Sequence, residues 1–152
     1  MLMIVIPGVP IAKARPRVFR MKTGITRAIT PETTVRFEQH VKLCAMEAIN
    51  KCMTMGDMFS SPIKATIDFY YPCPMSQYRK TMPRPLQWRT KKPDVDNLTK
   101  SVLDALNGMA YNDDSQVVIL IVRKIQSAQG DPPKTTVCLE KAGIINKPGE
   151  LL

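Results

Sequence analysis

The chain has 152 residues, 44% hydrophobic and 23% charged, which suits one ordinary globular domain with a core of its own. No apolar run is long enough to span a membrane, and the apolar start Met1–Gly8 is too short for a signal peptide and lacks a basic leader, so a cytoplasmic protein is expected. Lys and Arg number 22 against 13 Asp and Glu, a net charge of +9, which favours a polyanionic partner, nucleic acid ahead of an anionic membrane surface.

In chain order, residues 2–6 (LMIVI) read as a buried strand ended by Pro7-Gly8. Residues 17–20 and 25–28 fit a hairpin around Lys22-Thr23-Gly24. Thr30-Pro31-Glu32 is a helix start, with Thr as N-cap, Pro in the first turn and an acid at the positive end. Phe37, Val41, Cys44, Ala45, Ala48 and Cys52 then recur at helical spacing. Residues 64–71 (KATIDFYY) read as a strand, and the proline-rich stretch 72–93 as a loop. Residues 96–109 read as a second helix, 116–124 (QVVILIVRK) as a strand and 134–140 (KTTVCLE) as a last strand. The expectation is one domain over residues 1–152, a mixed α/β fold with helices packed on a mixed sheet.

The charges are unevenly placed. Met1–Thr30 holds Lys13, Arg15, Arg17, Arg20, Lys22 and Arg27 and no acid; Ser76–Lys92 holds Arg79, Lys80, Arg84, Arg89, Lys91 and Lys92 and again no acid. The sign then reverses, for Asp94, Asp96, Asp104, Asp113 and Asp114 follow within a short span. Cys44, Cys52, Cys73 and Cys138 form no CxxC pair, and His40 is the only histidine. That argues against zinc of the Cys/His type and leaves the cysteines as small apolar residues without disulfides.

At 100° per residue, Leu98, Val102, Ala105, Leu106 and Met109 share one face of the second helix, and Asn97, Lys100, Asp104 and Asn107 the opposite one. Asp94 and Asp96 precede or begin that helix; Asp113 and Asp114 follow it. The helix would set the two pairs roughly 20 Å apart, so they share a site only if the helix is short and the sheet brings the start of the next strand back beside the first pair. Asp96 also fits a plain N-cap, Asp113-Asp114 a plain turn, and Lys100 a surface pair with Asp96. Against those readings, a cap needs one acid, and neighbouring carboxylates repel unless a cation lies between them. Carboxylates without His or thiolate suit Mg²⁺ or Mn²⁺. In a basic protein such a cation serves phosphodiester chemistry.

The run KPDVDNLTKSVLDALNGMAYNDDSQVV (residues 92–118), with its D-x-D-N-L-x-K core, D-A-L-N-G and D-D-x-Q-V, resembles the signature of the RusA family of Holliday junction resolvases. PGVPIAKARPRV (residues 7–18) resembles the family's P-x-x-K-x-R-x-R opening. The resemblance implies a RusA-like fold and a homodimer, phage- or prophage-encoded, that binds four-way DNA junctions and resolves them by paired nicks with Mg²⁺, Mn²⁺ substituting. It implies Asp94, Asp96 and Asp114 as metal-binding and catalytic residues and Lys100 as a catalytic lysine, with Asp104 and Asp113 supporting helix and turn. Lys13, Arg15, Arg17, Arg79, Lys80, Arg84, Lys91 and Lys92 are the candidate DNA contacts. In the loop from Cys73 to Lys92, Tyr78 and Trp88 are candidates for stacking on unpaired bases at a junction centre; Trp88 fits equally well as cover for the sheet edge. The rival is a DNA-binding accessory protein that has lost catalysis, against which the intact aspartates and Lys100 stand. A membrane-surface protein is disfavoured because no basic amphipathic helix is present.

Overall fold

A computed structural model describes residues 1–15, 17–20, 26–51 and 60–143, of which 17–20 and 26–29 are described in backbone only. A five-stranded sheet comprises β1 (Leu2–Pro7), β4 (Ile63–Tyr71), β5 (Gln87–Trp88), β6 (Val117–Gln126) and β7 (Lys134–Lys141), in the order β1-β7-β4-β6-β5. Only β4 and β6 pair in parallel, so the sheet is mixed as expected. β2 (Arg17–Arg20) and β3 (Thr26–Ile29) pair antiparallel in the anticipated hairpin; its turn lies outside the described residues. Two helices complete the fold, α1 (Glu32–Lys51) and α2 (Val95–Leu106).

Alternation places the core. Leu2, Ile4 and Ile6 of β1 are buried while Met3 and Val5 are exposed, as expected where one sheet face meets the helices and the other meets solvent. Ile63, Ala65, Ile67 and Phe69 of β4 and Val137 and Leu139 of β7 join the same buried layer. Phe37, Val41 and Ala45 of α1 close on it, together with Leu98, Val102, Ala105 and Leu106 of α2. Cys44 and Ala48 are half-buried beside them; Cys52 lies outside the described residues. Cys44, Cys73 and Cys138 are free thiols.

Two expectations need correction. The second helix stops at Leu106, three residues before the expected Met109. Asn107 turns extended (ψ 131) and Gly108 takes φ 72, a left-handed conformation that glycine adopts without Cβ strain. The stretch 72–93 is not all loop either, for it carries a 3-10 turn at Met75–Gln77 and the short strand β5 on the edge of β6. That strand escapes a pattern search because two residues carry no periodicity.

Candidate functional site

α2 forms because its apolar residues fall on one stripe, and it starts where Asp94 supplies the N-cap backbone, its carbonyl accepting from Leu98 N at 3.2 Å. The Asp94 side chain makes no cap hydrogen bond, and Asp96 lies inside the first turn. Plain capping therefore accounts for neither carboxylate. Asp113 does act as a cap: its carboxylate accepts from Ser115 N at 2.9 Å while Gln116 Oε1 accepts from Asp113 N at 3.1 Å, a reciprocal capping box on the 3-10 turn Asp114–Gln116. The hydrogen bonds from Ser115 hold the Asp113 carboxyl below its ordinary pKa.

β6 runs back along α2. Near its end, Lys124 Nζ donates to Lys91 O (2.9 Å) and Pro93 O (2.7 Å), the carbonyls just ahead of Asp94. Before its start, Asp114 stands near Tyr111, whose hydroxyl donates to Leu103 O at 2.9 Å. Burial raises the Tyr111 pKa, and the charges of Asp114 and Asp104 raise it further. Between α2 and β6 lies an open cleft of about 650 Å³ lined by Asp96, Lys100, Asp104 and Asp114, with Val95, Thr99, Leu103, Leu120 and Val122 as its apolar part. The helix is short and Asp96 and Asp114 line one cleft, but the end of β6 at Lys124, not its start, lies beside Asp94.

The carboxylates are spread along this cleft rather than gathered at one point. Asp96 is in the first turn of α2, and Asp104 is in the last, about 12 Å further on at 1.5 Å rise per residue. Asp94 is exposed and does not line the cleft. Among the described residues, no group of three or more His, Cys, Asp or Glu side chains is placed to hold a metal ion. Asp94, Asp96, Asp114 and Lys100 are all exposed, and none of their side chains has a hydrogen-bond or ion-pair partner among the described residues. The i,i+4 pair between Asp96 and Lys100 is therefore not formed.

Sequence reasoning underrated Lys13 and Asp104. Lys13 Nζ lies 2.5 Å from Asp104 Oδ2 and 3.1 Å from Glu38 Oε1, joining the N-terminal segment, α1 and α2. Burial lowers the Lys13 pKa, but the hydrogen bonds and charges of Asp104 and Glu38 outweigh it and leave the value raised. Its backbone N–H also donates to Asn97 O at 2.9 Å. Expected as a phosphate contact, Lys13 is instead committed to two carboxylates. Arg84 is half-buried and donates Nε to Gln77 O at 2.9 Å. Of the other expected DNA contacts, Arg15, Arg79, Lys80, Lys91 and Lys92 are exposed; the Arg17 side chain lies outside the described residues. No local pattern signals the Lys13 bridge or the Lys124 clamp, because both join residues distant in sequence.

A small basic protein with a mixed sheet, two helices and an open cleft lined by three aspartates and a lysine is the class that fold and site define. Residues 7–140 match the family model described as endodeoxyribonuclease RusA, and the chain belongs to that family. The uncharacterized protein YqaN of Bacillus subtilis (strain 168) is 35% identical over 127 residues, which cover 80% of this chain and 85% of that protein. The crossover junction endodeoxyribonuclease rusA of Lactococcus phage r1t is 37% identical over 65 residues, 42% of this chain and 45% of the phage protein. No helix among the described residues is long and apolar enough to cross a membrane.

Proposed function

We propose that the chain is a Mg²⁺-dependent endonuclease that resolves four-way DNA junctions by paired nicks, acting in recombination and repair. The observation that carries this reading is the cleft in which Asp96, Lys100, Asp104 and Asp114 face the same open volume. The relative named as a crossover junction endodeoxyribonuclease supports the choice of substrate.

The donors fit a hard cation. Asp94, Asp96 and Asp114 offer carboxylate oxygens that no described residue engages, and oxygen-only donors select Mg²⁺ or Mn²⁺ over zinc. Mg²⁺ is commonly held by one or two carboxylates with water and substrate phosphate rather than by a closed protein cage, so carboxylates spread along a cleft suit it. Such an ion would supply Lewis-acid polarisation of the phosphate and help ionise the attacking water. Asp96 and Asp114, at separate places along the cleft, would each hold such an ion through one carboxylate completed by water and phosphate oxygens, with Asp94 beside Asp96. Lys100, a compact cation unpaired among the described residues, would balance the charge that builds on phosphate oxygens in the transition state. Arg15, Arg79, Lys80, Lys91 and Lys92 would hold the DNA backbone without reading sequence.

Two symmetric strands need two sites, and a C2 homodimer supplies them. β5 covers β6 only at Ile125 and Gln126, so most of the outer edge of β6 is free of strand partners among the described residues. That edge, beside the exposed Val118 and Ile121, would suit a second copy.

The experiment is incubation of an end-labelled four-way junction with and without Mg²⁺. Symmetric nicks that require the ion are expected. Binding without nicking at any Mg²⁺ or Mn²⁺ concentration would favour an accessory protein that only holds branched DNA.

A further inference from the structure

Trp88 is the only tryptophan in the chain, and it is 73% exposed. Burying an indole would stabilise the fold, so an exposed one on an ordered strand calls for a reason. Edge cover does not supply it, since the ring stands in solvent while only the strand's backbone pairs with β6.

The segment around it is built rather than loose. Gln129 Oε1 accepts from Arg79 N at 2.8 Å, and Gln129 Nε2 donates to Arg79 O at 3.1 Å. Gln126 Nε2 donates to Gln77 Oε1 at 2.9 Å. Arg89 N donates to Lys124 O at 3.0 Å, and the Arg89 guanidinium sits 4.2 Å from the centre of the Tyr71 ring. The backbone that carries Trp88 is thus held in place by β6 and by Arg89 N before anything binds, which lowers the entropy lost when a ligand stacks on the ring.

The surroundings select the ligand. Residues 76–92 contain six basic residues and no acid, and Arg79, Lys80, Lys91 and Lys92 are exposed. A second copy of a chain of net charge +9 meets repulsion here, whereas a nucleic acid neutralises the cations through its phosphates and offers a flat base to the ring. Paired bases inside a duplex present no free face, so the matching ligand is a base out of its stack. Lys91 and Lys92 lead from Trp88 directly to Asp94.

We propose that Trp88 is a stacking platform for an unpaired nucleobase, which holds opened DNA next to the cleft. The inference rests on the reading of the chain as a nuclease of branched DNA and names a base-contacting residue for it. As the sole tryptophan, Trp88 reports its own environment by fluorescence. The test uses the full chain in EDTA with three probes: a single-stranded oligonucleotide, a four-way junction and a linear duplex. Trp88 emission is expected to fall on the first two and to change little on the third. Trp88→Ala is expected to weaken single-strand binding about tenfold, Trp88→Phe much less, and duplex binding by less than about twofold. The proposal is overturned by Trp88→Ala binding single strands as wild type does, by equal emission changes on all three probes, or by an emission change on dilution without DNA, which would give the patch to a second copy. Failure of the nuclease reading is separable: a wild-type chain that never nicks a junction, yet loses single-strand affinity with Trp88→Ala, overturns that reading and leaves the platform standing.

Discussion

Lys100→Met separates structure from chemistry cleanly. Lys100 is exposed on α2, lines the cleft, and has no hydrogen-bond or ion-pair partner among the described residues. Methionine matches its length and helix propensity, so the fold loses nothing specific. The expected change in unfolding free energy is below about 0.5 kcal/mol. Junction affinity in EDTA should fall by less than about threefold, because one cation among many contributes little to phosphate binding. If Lys100 balances charge that develops only in the transition state, its removal costs about 3 kcal/mol there, or roughly a hundredfold or more in rate. The assay is single-turnover nicking of a labelled junction at saturating Mg²⁺ for wild type, Lys100→Met and Lys100→Arg. Arginine should restore the rate only in part, since a planar fork does not fill the place of a compact ammonium. A Met variant within about threefold of the wild-type rate would refute the catalytic role and leave the aspartates as the whole site.

Lys13→Met removes the cation shared by Glu38 and Asp104 and should lower stability by about 1–2 kcal/mol in urea unfolding. Because the folded pKa of Lys13 is raised, its contribution is full below the ordinary 10.5 and fades as pH climbs through the folded value; the gap between variant and wild type should close in strong alkali. Arg123→Met leaves Asp68 without its paired hydrogen bonds of 2.6 and 2.8 Å and should cost about 2 kcal/mol, with nicking unchanged once the variant is folded. Lys124→Met frees the carbonyls of Lys91 and Pro93; by loosening Asp94 and Asp96 it should slow single-turnover nicking about tenfold with junction affinity retained. Junction binding without metal should weaken steeply between low and high salt, and replacing Arg79 and Lys80 together by Ala should flatten that slope.

The strands and helices were readable where burial is one-sided. β1 alternates, α2 carries one apolar stripe, and β4 and β7 are bounded by Pro and Gly, so period and punctuation alone placed them. The sheet order was not readable, because β7 enters between β1 and β4 by pairing that no local signal encodes. The same limit applies within the site. The D-x-D run, Lys100 and Asp114 stand out as a sequence pattern, but Asp104 reads as helix support until Lys13 is seen against it. Spacing also left open whether Asp96 and Asp114 meet. The short helix and the return of β6 put both on one cleft, yet at separate places along it.

The central claim is that the carboxylates of this cleft bring a divalent cation to a DNA phosphate. The most direct measurement is nicking of a labelled four-way junction across a Mg²⁺ titration by wild type, Asp96→Asn and Asp114→Asn, with junction binding measured in parallel in EDTA. Asparagine keeps shape and hydrogen bonding but removes the charge the cation needs. Intact folding and binding are expected in both variants, with nicking lower by about a thousandfold or more at every Mg²⁺ concentration. Near-normal nicking by either variant would contradict the account at that residue, and near-normal nicking by both would place the chemistry elsewhere in the chain.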